Sequence, residues 1–235
     1  MYGKSALREI VDEYTGCQRC DLLCESRTQI VFGSGSATAD ILVVGEAPGA
    51  SEDLDGIPFT GKSGRLLFQL FEKVLAGEEV EKVRGISDDD EYFRQVRDIV
   101  EDRTFFTNVV MCRPEDNRTP STTEIKNCKS RLHRMIYAVD PKLIIAAGAT
   151  AASAVMGKKV SIVKNRGHIF DVSVPSPITG TLVRYPMMAL LHPSYLLRKG
   201  DRVLVRKQEG DTYATMGDLR YALRLLDEYD RISGR

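Results

Sequence analysis

The chain has 235 residues, with 33 Lys and Arg balanced by 33 Asp and Glu, so its formal net charge is zero. A chain of this length buries about two-thirds to three-quarters of its unfolded surface, which suits one generous domain spanning residues 1–235. Neutrality excludes a uniformly basic nucleic-acid coat, and 43% hydrophobic against 28% charged residues excludes a disordered chain.

No apolar run approaches the roughly 18 residues of a membrane span, so no membrane partner is expected. The opening MYGKSALREIVDEY lacks the apolar core of a signal peptide, which points to the cytoplasm or nucleoid. Five cysteines in a reducing compartment suggest metal or redox chemistry before disulfides, and the odd count leaves one spare.

Apolar residues at Leu7, Ile10 and Val11 predict a short amphipathic helix over Ser5 to Tyr14. A cysteine-rich loop follows, Cys17-Gln-Arg-Cys20-Asp-Leu-Leu-Cys24. The branched run Ile41 to Val44 reads as a buried strand ending at Gly45. A long Gly/Pro loop leads to a helix from about Ser63 to Leu75, with Leu66, Leu67, Leu70, Phe71 and Val74 on one face. Further strands are expected at Thr104–Met111, Leu143–Ala147 and Tyr185–Leu191. Helices are expected at Glu124–Val139, Thr150–Met156 and about Met216–Tyr229. The acidic stretch 77–102 reads as an insertion carrying one helix, Glu91 to Asp102.

Strands alternating with helices predict an α/β fold: a three-layer α/β/α sandwich around a central four-stranded parallel sheet. Ligands of such sheets sit beyond the carboxyl ends of the strands. The loops leaving those ends, Gly45–Gly64, Asn108–Pro120 and His192–Arg198, carry the unusual residues.

One motif in this region misleads. Gly56-Ile-Pro-Phe-Thr-Gly61-Lys62-Ser63 matches the phosphate-binding pattern G-x-x-x-x-G-K-[ST]. That loop works when its first glycine follows a buried strand, so that successive N–H groups wrap the phosphates. Here Ser51-Glu-Asp-Leu-Asp precedes Gly56, Pro58 removes an N–H, and no later strand ends in an Asp for Mg²⁺. The match is read as coincidental.

Cys17 and Cys20 are spaced to reach one metal centre, in a polar loop that suits a buried apolar cysteine poorly. Cys112 lies just past a strand and Cys128 on the next helix. Spacing alone separates neither zinc from an iron–sulfur cluster nor Cys20 from Cys24 as the ligand.

Gly45-Glu-Ala-Pro-Gly49 with Glu52-Asp53, Gly56-Ile-Pro-Phe-Thr-Gly61 and Gly64-Arg-Leu-Leu67 resembles the first motif of the family 4 uracil-DNA glycosylases. Thr107-Asn-Val-Val-Met-Cys-Arg-Pro114 with Asn117-Arg-Thr-Pro120 resembles their second. Leu143-Ile-Ile-Ala-Ala-Gly148 is similar to their third strand, and His192-Pro-Ser-Tyr-Leu-Leu-Arg198 to their final motif. The resemblance runs from about Cys17 to Arg198. It implies a 4Fe-4S cluster on Cys17, Cys20, Cys112 and Cys128, leaving Cys24 as the spare thiol.

The implied activity is hydrolysis of the N-glycosidic bond of uracil in DNA, releasing the free base and leaving an abasic site. Such an enzyme flips the nucleotide into a tight pocket. Phe59 offers a flat wall for the pyrimidine, flanked by Glu46, Ala47 and Pro48. The Asn108 amide can pair with N3–H and O4 of uracil, a pattern that cytosine reverses. His192, stiffened by Pro193, is positioned to donate a hydrogen bond to O2 as negative charge develops there. His133 and His168 are read as structural or surface residues.

The best-known uracil-specific family has a catalytic Asp where Ala47 stands, as is usual in family 4. Glu46 is therefore the nearest carboxylate to orient water, with Asp53 in reserve. A monofunctional enzyme of this kind needs no lysine. Ser194, Arg198, Lys62, Arg65, Arg113 and Arg118 are candidate DNA contacts, and Leu196 resembles the wedge that fills the vacated stack.

From Arg113 to Glu209 there are 17 Lys and Arg against 7 Asp and Glu, whereas from Gly77 to Asp102 there are 4 against 10. Neutrality thus sums a basic body and an acidic segment, which is compatible with a DNA-facing side. Two rival readings are a glycosylase of shifted preference (hypoxanthine or mismatched pyrimidine) and a uracil-DNA binding protein without turnover. The covalently trapping relatives carry a basic His-containing loop after the second motif, and Asn117 to Pro120 has no His. A monomer is expected, with a replication or repair protein as a further partner. Residues 77–102 and 200–215 have no counterpart in the family pattern, and Thr60 stands where an apolar residue is usual.

Overall fold

The computed structural model describes residues 3–75, 83, 86–199 and 210–233. Six strands form one mixed sheet: β1 (Ser34–Gly35), β2 (Ile41–Gly45), β3 (Thr104–Asn108), β4 (Leu143–Ala147), β5 (Ile169–Pro175) and β6 (Leu182–Leu190). Their order is β1-β3-β2-β4-β6-β5. The four inner strands are parallel, as expected, and β1 and β5 add antiparallel edges that the sequence reading did not include.

The parallel strands explain the layering. Each buries residues on both faces, the signature of a sheet covered on both sides. Leu42, Val44, Ile144, Ala146, Met187 and Ala189 point into one core. That core is covered by α1 (Lys4–Tyr14), α6 (Thr122–Val139) and α7 (Ala149–Met156). Ile41, Val43, Leu143, Ile145, Met188 and Leu190 point into the other. There the cover is α4 (Lys62–Val74), α5 (Asp89–Arg103) and α10 (Gly210–Ser233). Short helices α2 (Asp21–Ser26), α3 (Ala50–Asp55), α8 (Ile162–Asn165) and α9 (Pro193–Lys199) fill the connections.

Helix α5 belongs to the crossover between parallel strands β2 and β3, and it buries Val96, Arg97 and Val100 against that core. Of the acidic segment read as an insertion, residues 86–102 are therefore woven into the sheet's cover. Residues 77–82, 84 and 85 lie outside the described residues, as do 200–209 of the second unassigned segment.

Strand β3 is shorter than expected. Pairing with β2 stops at Asn108, and Val109 and Val110 instead donate to the carbonyls of Gly45 and Glu46 just past the strand end. Among the described residues no helix is long and apolar enough to cross a membrane. In chain order, the parallel strands run second-first-third-fourth across the sheet, so the topology switches beside β2. Such a switch opens a crevice at the carboxyl ends of the strands.

Candidate active site

The crevice is lined by Glu46, Ala47, Pro48, Glu52, Phe59, Lys62, Asn108, Asn117, Arg118, His192, Ser194 and Arg198, among others. Residues from all three loops singled out in the sequence therefore meet in one pocket. Its floor is set by strand register. Gly45 ends β2 opposite Asn108, the last residue of β3. A β-carbon on Gly45 would stand 2.3 Å from the Asn108 Oδ1 and 2.7 Å from the Phe59 ring, so only glycine lets both side chains close over the strand end. Asn108 is 3% exposed, and its side-chain amide makes no hydrogen bond within the described protein. Its pairing capacity is unspent and faces the pocket.

The Phe59 loop is held by Glu52, whose two carboxylate oxygens accept from the N–H groups of Gly49 and Gly61, each at 3.1 Å. Gly56 is the left-handed cap that ends α3, so the phosphate-loop lookalike follows a helix and not a strand. Asp53 points away from the pocket: it is 2% exposed and accepts from the N–H groups of Thr28 and Gln29. Its carboxylate secures the 27–29 turn, which removes it as the reserve water-orienting group. Glu46 lines the pocket with its carboxylate unpaired among the described residues.

His192 follows β6, and its surroundings fix its chemistry. The Ser194 N–H donates to Nδ1 at 3.1 Å, and the Ser194 Oγ lies 2.7 Å from the same nitrogen. Arg198 donates to Ser194 Oγ at 3.3 Å, leaving the serine hydroxyl to donate onward to Nδ1. A doubly accepting Nδ1 puts the single proton of the neutral ring on Nε2. Burial, with the Arg198 charge adding to it, pushes the His192 pKa down to about 4. The imidazole is thus a neutral Nε2–H donor at pH 7. Neither His133 nor His168 lines the pocket.

The basic residues divide. Lys62 and Arg198 line the pocket. Arg118 also lines it, but both its terminal nitrogens grip the Glu124 carboxylate, at 2.9 and 2.7 Å. Arg118 and the Ser121 capping bonds hold the Glu124 pKa down to about 2. Arg65 is paired with Asp90 at 2.8 Å and covers the Phe93 ring, and Arg113 donates to Asn117. Arg65 and Arg118 would have to release a carboxylate before serving a phosphate.

Leu196 does not project into solvent. It is fully buried in the α4–α10 core, so a wedge role is closed to it, and the half-buried Leu197 beside it is the less committed leucine.

A second cavity is lined by a separate set of residues. Cys17, Cys20, Cys112 and Cys128 line it together with Tyr14, Arg27, Asn127 and Arg131. Cys24 is absent from this lining, and its thiol donates to the Cys17 carbonyl at 3.6 Å. All five cysteines are free thiols. Among the described residues no three His, Cys, Asp or Glu side chains are grouped as a single-ion site.

Two side chains donate to the thiols, and a third, Arg131, lines the same cavity. Arg27 donates to the Cys112 sulfur at 3.0 Å and Asn127 to that of Cys20 at 3.4 Å. Arg131 is 2% exposed, bonds Val109 O and Met135 Sδ, and has no carboxylate partner among the described residues. A buried guanidinium without a counter-charge is costly. Burial raises the Cys112 thiol to about 11 against the opposing pull of Arg27. The donor set therefore suits an anionic occupant held by sulfur. Cys112 stands two residues before Pro114, which lines the larger pocket, so the two cavities share one loop.

The sequence profile of the uracil DNA glycosylase superfamily matches residues 32–213. The chain is 38% identical over 208 residues to the type-4 uracil-DNA glycosylase of Thermotoga maritima, covering 88% of this chain and 91% of that one. It is 30% identical over 218 residues to the type-4 enzyme of Archaeoglobus fulgidus, with 91% and 93% covered. Against the type-4 enzyme of Sulfurisphaera tokodaii the identity is 36% over 169 residues, with 70% and 66% covered. With a pocket at the switch point and four thiols around a second cavity, this chain belongs to the uracil-DNA glycosylase superfamily, among its type-4 members.

Proposed function

We propose that this protein excises uracil from DNA as a monofunctional glycosylase, leaving an abasic site. The observation that carries the reading is the convergence of an unspent Asn108 amide with a neutral His192 that donates from Nε2. The flipped uracil stacks on Phe59, while Asn108 accepts from N3–H and donates to O4. His192 donates to O2 as charge moves onto the departing base. A neutral donor stabilises that charge without surrendering a proton beforehand, and such preorganised donors contribute about 3–4 kcal/mol. Glu46, with no partner among the described residues, orients the attacking water or steadies the cationic sugar.

Lys62, Arg198 and Arg113 serve the DNA backbone, with Ser194 engaged mainly in setting the His192 tautomer. Hydrolysis by water makes lysine chemistry unnecessary.

The same reading assigns a 4Fe-4S cluster to Cys17, Cys20, Cys112 and Cys128. A cubane takes one thiolate at each iron, and four sulfurs line this cavity. Thiolate ligation also supplies the negative charge that the buried Arg131 and the nearby Arg27 call for. When bound, the cluster supplies a covalent tie among the N-terminal loop, the β3 exit and α6. The residues that act on the glycosidic bond are those of the other pocket.

The test is incubation with a uracil-containing oligonucleotide followed by alkali. Strand cleavage at the uracil supports the reading, whereas tight binding without cleavage favours a non-turnover binder. Purified protein should be brown and carry iron and acid-labile sulfide; stoichiometric zinc in their place overturns the cluster.

A further inference from the structure

We propose that Arg97 is a positioning residue for the base pocket: from α5 it holds the loop bearing Phe59, so that the ring stands over Gly45 beside Asn108. The inference rests on the uracil reading above and deepens it by naming the residue that fixes the stacking wall.

Phe59 has a φ of 60°, a left-handed backbone conformation that an aromatic residue rarely adopts. Such a conformation persists only where its surroundings over-determine it. Three restraints act within the loop's own neighbourhood. Glu52 ties Gly49 to Gly61, and the Phe59 ring meets Phe106 edge-on at 5.4 Å. The Phe59 carbonyl lies where a β-carbon on Gly64 would come within 1.9 Å, so glycine there admits it.

The fourth restraint comes from α5, in the segment whose charge pattern reads as an acidic insertion. Arg97 is 9% exposed, and its Nη2 donates to the Pro58 carbonyl at 2.9 Å. As a proline, residue 58 offers that carbonyl as its sole backbone hydrogen-bonding group. The guanidinium also lies 4.9 Å over the Phe68 ring and 2.6 Å from the Glu101 carboxylate. Glu101 in turn accepts from Ser34 on β1. Phe68 packs at 4.6 Å on Phe106, the same ring that Phe59 meets. One guanidinium therefore grips the carbonyl preceding Phe59 and braces the aromatic stack behind it. It touches no pocket atom itself, which makes it a positioning and not a catalytic residue.

The test is a double-mutant cycle of Arg97→Met and Phe59→Ala, read by single-turnover excision and by inhibition with free uracil. R97M should weaken free-uracil inhibition and slow excision about tenfold, with affinity for abasic duplex unchanged. In the F59A background the same change should cost less than about twofold, because the wall it positions is gone. Additive losses, or unaltered uracil inhibition in R97M, would overturn the proposal. If melting shows R97M unfolded, R97K runs the same cycle with the buried charge retained. A wild-type protein inactive on uracil would refute the proposed function instead. Hydrogen exchange of the Phe59 and Thr60 amides then decides: faster exchange in R97K supports the clamp, and unchanged exchange overturns it.

Discussion

Replacing Asn108 by Asp tests how the pocket reads its base. The two side chains have the same size, so the close packing over Gly45 survives, and only the amide NH₂ becomes an oxygen. The uracil N3–H keeps its acceptor, but O4 now faces an oxygen where it had a donor. With uracil seated over this nearly buried side chain, water cannot restore the missing bond. One unmade buried hydrogen bond costs about 1–3 kcal/mol, more when an ionised group is involved, which corresponds to roughly a ten- to hundredfold slower reaction.

Single-turnover excision on matched uracil and cytosine oligonucleotides measures the effect. The uracil-over-cytosine ratio should fall, and uracil excision by the variant should recover as pH drops through the new carboxyl's pKa. Protonation returns a donor opposite O4. A uracil rate within twofold of wild type with no such pH dependence would remove Asn108 from base recognition.

His192→Ala should slow single-turnover excision by about two to three orders of magnitude while abasic-DNA affinity changes little; a pure loss of affinity would make His192 a DNA contact. With its folded pKa near 4, His192 stays neutral through the ordinary imidazole range, so the wild-type rate should show no inflection near pH 6.5. The sign for stability is that the unfolded chain takes up this proton below about pH 6.5 and the folded chain only below about 4, so stability falls as pH drops across that window. Arg198→Gln removes the adjacent cation and should raise the His192 pKa, measured by NMR titration. Cys112→Ser should abolish the brown colour and lower the melting temperature; a colourless, equally stable wild type would argue against the cluster. Thr60 buries a hydroxyl with no partner among the described residues, so Thr60→Val should raise stability by about 1 kcal/mol in chemical denaturation.

Much of this was legible in the sequence because strand ends and loops announce themselves. The run Ile41–Val44 closing on Gly45 located the first motif at a sheet end, and Asn108 and His192 follow from the same logic on β3 and β6. The edge strands are less legible. β1 has two residues, too short for any period, while Ile169–Pro175 alternates Val172 and Val174 with polar neighbours, the period of a half-buried edge strand. The apolar run past Asn108 hid the end of β3, since Val109–Met111 are buried without being in the ladder.

Charge type did not reveal charge partners. Arg65 and Arg118 are held by Asp90 and Glu124, and Asp53 by the 27–29 turn. The heptapeptide His192–Arg198 shows which residues follow a strand but not which leucine turns inward, and Leu196 does. Arg97 was invisible for a related reason: among acidic neighbours it reads as one more solvated charge, and only the fold brings it beneath Pro58.

The central claim is tested most directly by following a duplex that carries a single uracil, with the released base and the strand measured in the same reaction. The account predicts free uracil in amounts equal to the alkali-labile sites formed, in excess of enzyme and without strand cleavage before alkali. Tight binding with no base released, or release of other bases with uracil untouched, would contradict it.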